Sequence, residues 1–114
     1  MKITTDTLHE PGSVLLHLEG RFDAETADAL KQAVKDLAAN GVKFVTVDMA
    51  GVLFLDSSGL SALVAALKTL RKSEGRLNLA AVGPQARTAL RLTLLDKVLP
   101  TFETVEDAVA HVKQ

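Results

Sequence analysis

Hydrophobic positions at the start of the chain follow the two-residue period of a β-strand. Val14, Leu16 and Leu18 occupy every second position before Gly20, which predicts a half-buried strand. A weaker strand is predicted over 3–8. Glu10-Pro11-Gly12 between the two segments is typical of a turn. The chain is therefore expected to begin with an antiparallel hairpin.

Farther along the chain, apolar residues recur at three- and four-residue spacing, which predicts about four helices. In the third helix Ala86, Leu90 and either Thr93 or Leu94 are predicted to face inward. Asp23 is a suitable N-cap for the first helix, and Asn40-Gly41 is a suitable stop. The predicted helices cover 24–39, 58 to about 73, a segment that begins at Pro84, and a segment that begins near Thr104.

Apolar segments between the helices predict further strands. The segment 42–49 is rich in β-branched residues and is expected to be a central strand covered on both faces. Shorter strands are predicted over 77–82 and at Thr101-Phe102. Strand, helix, strand order implies parallel pairing with right-handed crossovers. We expect residues 1–114 to form one α/β sandwich domain, with a mixed sheet of four to five strands and helices mainly on one face.

Composition narrows the possible functions. The 114 residues include no cysteine, which excludes disulfides and thiolate metal sites. No stretch of 18 apolar residues occurs, so membrane insertion is not expected and a cytoplasmic location is predicted. The net charge is −1 and aromatic residues make up 4%, which disfavours a nucleic-acid partner. The functional surface is therefore expected to meet another protein.

Candidate chemistry is concentrated in Asp56-Ser57-Ser58-Gly59, just before the second predicted helix. The unpaired N–H groups and dipole of a helix N-terminus favour an anion, including a phosphate on a serine oxygen. Asp56 could orient the Ser57 hydroxyl or cap the helix, and Ser58 is interpreted as a cap. Gly59 would permit close backbone approach. The loop that holds Asp23 is expected to lie near Ser57, because both follow the carboxyl ends of strands.

Other chemistries fit the sequence less well. Ser57 and Gly59 form half of a hydrolase nucleophile elbow, but Leu55 stands where the preceding glycine is required. The three histidines are interpreted as ordinary surface residues, and His17 is expected on the strand side opposite Leu16. No His or carboxylate cluster has metal-ligand spacing, and no glycine-rich phosphate loop is present. We therefore predict no metal, no cofactor and no enzymatic activity, although a simple capped helix would also explain the motif.

Asp56-Ser57-Ser58-Gly59-Leu60, preceded by an apolar run and by Asp48, resembles the signature of the STAS domain, the sulfate transporter and anti-sigma factor antagonist family. Gly20-Arg21-Phe22-Asp23 looks like the family's Gly-x-x-Asp loop, and 92–98 looks like its segment after the third helix. Ser61 stands where many members have a second glycine, which places a larger side chain beside the partner surface.

This resemblance implies a bacterial anti-anti-sigma factor. Such a protein binds an anti-sigma factor, usually a serine kinase, and so releases a sigma factor. Ser57 matches the serine that the kinase phosphorylates, and a PP2C-type serine phosphatase restores binding. The implied partner surface contains Asp23, Asp56, Ser57, Ser58, Gly59 and Ser61. The alternative is a non-switching STAS subunit of a lipid transporter or a stress-signalling complex.

Overall fold

The hydrophobic periods of the sequence are realised in one five-stranded sheet with the strand order β1-β2-β3-β4-β5. The computed structural model describes residues 2–112. The strands are β1 (Lys2–Thr7), β2 (Ser13–Phe22), β3 (Phe44–Leu55), β4 (Arg76–Ala80) and β5 (Thr101–Phe102). The helices are α1 (Ala24–Ala39), α2 (Ser57–Arg71), α3 (Pro84–Leu92) and α4 (Val105–Val112), with a 3-10 turn at Leu95–Lys97.

Strand pairing confirms the predicted mixed sheet. β1 pairs with β2 in antiparallel fashion, whereas β2, β3, β4 and β5 pair in parallel. Each parallel connection contains a helix, as a crossover between neighbouring parallel strands requires. The predicted α/β class and the leading hairpin are both confirmed.

The core lies between one face of the sheet and the first three helices. Leu16, Val47 and Leu79 are register partners across β2, β3 and β4, and all three are fully buried. Leu30 of α1 and Leu63 of α2 are fully buried in the same cluster. Burial of each such side chain contributes about 1.5 to 3 kcal/mol. This core packing holds α2 against the sheet. The candidate site lies at the N-terminus of this helix.

The opposite face of the sheet is more polar and is covered by α4. Leu15, Thr46 and Asn78 align across β2, β3 and β4 on this face, and all are buried. α4 contacts β3, β4 and β5 and buries Ala108. The prediction that β2 is half-buried is therefore wrong at Leu15, which lies on this second face and is only 7% exposed.

β2 and β3 extend farther toward the candidate site than the sequence predicts. β3 ends at Leu55 rather than at Met49, and β2 includes Phe22. The pairing of the two strands shifts register twice, once after His17 and once after Gly20. A β-bulge accommodates an extra residue in one strand and lets the pairing resume beyond it. The segments expected to be loops are therefore largely paired strand.

The first helix agrees with the prediction at both ends. Asp23 is the N-cap of α1, and its carboxylate accepts a hydrogen bond from the N–H of Glu25 at 3.1 Å. The third helix differs from the prediction. α3 ends at Leu92, so the inward position predicted for Thr93 or Leu94 is wrong. Leu94 has a left-handed φ of 61° and is 65% exposed. This backbone turn ends the helix and directs Leu94 to solvent.

His17 is a bonded, half-buried residue rather than an ordinary surface histidine. Its Nδ1 lies 2.7 Å from a carboxylate oxygen of Asp48, and its Nε2 lies 2.9 Å from one of Asp6. The hydrogen bond to Asp48, followed by the bond to Asp6, raises the pKa of His17 above its ordinary value of 6.5. Asp48 lies within β3 and ties the central part of this strand to His17 of β2, which in turn contacts Asp6 of β1.

The raised pKa of His17 predicts that stability falls as the pH rises. The folded protein holds the His17 proton more tightly than the unfolded chain does, so the stabilisation is fully present below pH 6.5 and is lost as the pH passes the raised pKa. We expect the urea midpoint of the wild type to fall with rising pH in this range, and His17→Gln to flatten that dependence. His9→Gln, at an exposed position, is the control. An unchanged pH dependence in His17→Gln would contradict the assignment.

Candidate functional site

The candidate site is built on the N-terminus of α2, which Asp56 caps. The Asp56 carboxylate accepts a hydrogen bond from the N–H of Gly59 at 3.0 Å, and its backbone carbonyl accepts one from Leu60. Ser57 is the first helical residue and is exposed, while Ser58 is the second and is half-buried. The interpretation of Ser58 as a cap is therefore wrong, because Asp56 occupies that position. The capping role expected for Asp56 is confirmed.

Gly59 allows the first turn of α2 to lie directly against the end of β2. A Cβ atom at Gly59 would come within 2.6 Å of the Phe22 carbonyl oxygen and 2.5 Å of Leu55 Cδ1. The Phe22 carbonyl oxygen also accepts a hydrogen bond from the Asp56 N–H at 3.3 Å. The close approach predicted for Gly59 is confirmed, and its partner is the end of β2.

The same contact brings the two predicted site segments together. Asp23 directly follows Phe22, so the α1 cap lies one residue from the carbonyl that holds Asp56. Arg21, on the other side of Phe22, places its guanidinium 4.7 Å from the centre of the Phe54 ring and 3.6 Å from an Asp23 carboxylate oxygen. The end of β2 therefore carries one exposed cation and one partly exposed acid beside the N-terminus of α2.

Ser61 extends the candidate site along α2. Ser57 and Ser61 are four residues apart, a spacing that puts side chains on one face of a helix. Ser61 is exposed and lines a groove of about 380 Å³. The other lining residues come from α2 and the 3-10 turn, namely Leu60, Val64, Ala65, Lys68 and Leu95. A partner that covers Ser57 could therefore extend along this groove.

Comparison with known protein families identifies the family of this chain. The model of the STAS domain matches residues 4–108. The chain belongs to the STAS domain family. The anti-sigma-F factor antagonist RsfB of Mycobacterium tuberculosis is 31% identical over 111 residues, which cover 97% of this chain and 90% of RsfB. The family resemblance stated from the sequence is confirmed.

Solved structures agree with this assignment. An anti-sigma factor antagonist from Mycobacterium paratuberculosis has a TM-score of 0.84 at 34% identity and covers 99% of this chain and 96% of its own. SpoIIAA in its unphosphorylated form, described as an anti-sigma factor antagonist, has the same TM-score at 18% identity and covers 98% of this chain and 96% of its own. SpoIIAA of Bacillus in the phosphorylated form has a TM-score of 0.76 at 19% identity, with 97% and 99% covered. At this identity SpoIIAA supports the fold alone.

One residue of the STAS domain site was missed by the sequence analysis. Gln85, at the start of α3, donates from Nε2 to the Leu55 carbonyl at 2.8 Å and accepts from the Leu55 N–H at 2.9 Å through Oε1. Its amide thus pairs with β3 as a neighbouring strand would. β4 ends its pairing with β3 at Asp48, so Gln85 pairs with the backbone groups of Leu55 that β4 does not reach. Only its place after a predicted strand could have signalled this role.

The N-terminus of α2 favours an anion over a cation, and nothing in the geometry of the described residues indicates a metal centre. Within residues 2–112, no group of three or more His, Asp or Glu side chains is arranged to bind a metal ion. No helix in this range is long and apolar enough to cross a membrane. The chemistry available at the site is an exposed serine hydroxyl at a helix N-terminus, next in the chain to the Asp56 cap, with Asp23 linked to that cap through the Phe22 carbonyl.

We predict that Gly59→Ala destabilises the STAS domain by about 1 to 3 kcal/mol, because its Cβ would press on the Phe22 carbonyl oxygen. The Leu55 side chain could shift, whereas the carbonyl of a paired strand could do so only by moving β2. Gly83→Ala is the control, since no atom lies within 4 Å of its Cβ position and its φ is −74°. Urea unfolding measures both. Equal destabilisation by the two variants would contradict the close approach.

Proposed function

We propose that this protein is an anti-sigma factor antagonist controlled by phosphorylation of Ser57. In its unphosphorylated form it binds an anti-sigma factor serine kinase, so that the sigma factor is released. Phosphorylation by the kinase stops this binding, and a PP2C-type serine phosphatase reverses it. The partner surface contains Asp23, Asp56, Ser57, Ser58, Gly59 and Ser61. A cytoplasmic location belongs to the same proposal, because these partners act on transcription.

The observation that carries the proposal is the exposed Ser57 at the first position of α2, within the family motif. A kinase needs a hydroxyl that it can reach. The mycobacterial relative with 31% identity is named an anti-sigma-F factor antagonist, which supports the same class of function. SpoIIAA, a more distant structural neighbour, has been solved in unphosphorylated and phosphorylated forms, so this fold accommodates a phosphate.

The helix N-terminus explains how the folded domain would tolerate the phosphate. A phosphate on Ser57 adds a charge of about −1.5 to −2 at pH 7. The dipole of α2 and its first N–H groups favour an anion at this end, and the first turn of α2 contains no acidic side chain. The added charge would therefore leave the fold of the domain intact.

The bound partner would tolerate the same charge poorly. A surface packed against the neutral Ser57 hydroxyl would have to desolvate a phosphate beside the Asp56 cap. A loss of about 3 to 4 kcal/mol lowers affinity by several hundredfold. Truncation of one member of a buried charged pair costs a comparable amount at interfaces, so a single uncompensated charge is sufficient. Binding would be lost without unfolding.

We predict that Ser57→Asp lowers the affinity for the kinase at least about a hundredfold, while the circular dichroism spectrum stays native. Ser57→Ala, which is neutral and cannot be phosphorylated, should bind as the wild type does. The measurement is calorimetric titration with each serine-kinase anti-sigma factor encoded in the source genome. Ser73→Asp places the same charge beyond the far end of α2 and is the matched control.

This experiment also distinguishes the switch from the alternative function, a non-switching subunit of a lipid transporter or stress-signalling complex. A non-switching subunit would bind its partner equally well with Ser57 or with Asp at this position. Retention of full affinity by a folded Ser57→Asp protein would therefore reject the switch. Incubation of the wild type with the bound kinase and ATP, followed by peptide mass spectrometry, should locate one phosphate at Ser57 and none in Ser57→Ala.

A further inference from the structure

Leu53 is the most exposed large hydrophobic residue in the part of the chain that the structure describes. Its side chain is 78% exposed, although it belongs to a strand and is followed by the fully buried Leu55. Single exposed leucines are common on protein surfaces, so exposure alone assigns no role. The significance of Leu53 depends on why it is exposed and on what surrounds it.

A β-bulge produces this exposure. In the pairing of β2 with β3, Gly20 is opposite Val52 and Arg21 is opposite Phe54, so Leu53 has no partner in β2. A bulge adds one residue to a strand and changes the direction in which its side chain projects. Bulges are over-represented at sheet edges and beside active sites. The exposed position of Leu53 therefore follows from the backbone pairing.

The residues on the C-terminal side of Leu53 are held firmly. The Phe54 ring lies under the Arg21 guanidinium, 4.7 Å from its carbon. Leu55 is fixed through its backbone by two hydrogen bonds to the Gln85 amide. These contacts hold the backbone that directly follows Leu53. A backbone that is already held loses less entropy on binding than a mobile one.

Leu53 is also close to the candidate site. It precedes Ser57 by four residues, which span at most about 14 Å of extended chain. A standard protein interface buries about 800 Å² on each partner, equivalent to a disc with a radius of about 16 Å. An interface of this size that is centred on Ser57 therefore has room to include Leu53.

We propose that Leu53 is the apolar anchor of the anti-sigma factor interface, and that the anti-sigma factor has an apolar pocket for it beside the surface that contacts Ser57. This inference rests on the proposed function, because the occupant is the same partner. In that arrangement the Ser57 hydroxyl controls binding through its charge state, whereas Leu53 supplies constant affinity. Interfaces commonly depend on a few buried apolar anchors surrounded by weaker contacts.

The test compares Leu53→Ala with Leu92→Ala, an identical change at the end of α3 where the leucine is 76% exposed. Each purified variant is titrated with the kinase-type anti-sigma factor that wild type binds. Leu53→Ala should lower the affinity at least about tenfold, and Leu92→Ala should leave it unchanged. The melting temperatures of both variants should equal that of wild type, since neither side chain is buried.

The outcomes separate the anchor from the proposed function. If wild type binds and Leu53→Ala binds equally well, the anchor is rejected and the Ser57 switch stands. Equal weakening by Leu53→Ala and Leu92→Ala also rejects it, because the effect would not be local. If wild type binds none of the kinase-type anti-sigma factors of its genome, the proposed function fails and the anchor fails with it.

Discussion

The direct contact between the first turn of α2 and the end of β2 determines the geometry of the whole candidate site. It depends on Gly59, because any Cβ atom there would meet the Phe22 carbonyl oxygen at 2.6 Å. The same carbonyl receives the Asp56 N–H, so one backbone group of β2 positions both the cap and the helix. Asp23 and Arg21 flank that group in the chain. The junction therefore brings the Asp56 to Gly59 motif and the end of β2 together.

The junction includes the core residues Phe22 and Leu55, but Ser57 itself lies outside the layers that stabilise the fold. The main core is formed by register partners such as Leu16, Val47 and Leu79 under the first three helices. The polar face contains its own network, in which His17 joins Asp6 and Asp48. Ser57 is exposed and is not in the core cluster. A charge added to Ser57 can therefore change what the surface binds without removing interactions that hold the sheet and helices together.

Sequence patterns predicted the features that local chemistry determines. Asp23 begins α1 and Asn40 ends it through contacts within a few residues, and both ends of this helix were predicted correctly. The end predicted for β3 was wrong, because the bulges of this strand exist only in its pairing with β2. The bonds of His17 were missed for the same reason, since they join residues 11 and 31 positions apart. Such contacts leave no local signal.

The candidate site shows the same division between features set by neighbouring residues and features set by residues distant in the chain. The motif from Asp56 to Gly59 was predicted as a unit because its members are consecutive, although the cap was divided between Asp56 and Ser58. Gln85 was not predicted, because its bond to Leu55 spans 30 positions. The sequence does carry a signal for Leu53, because four consecutive apolar residues over 52–55 cannot all face one side of a strand. Two of the four had to face away from the core, and the bulge makes Leu53 one of these two.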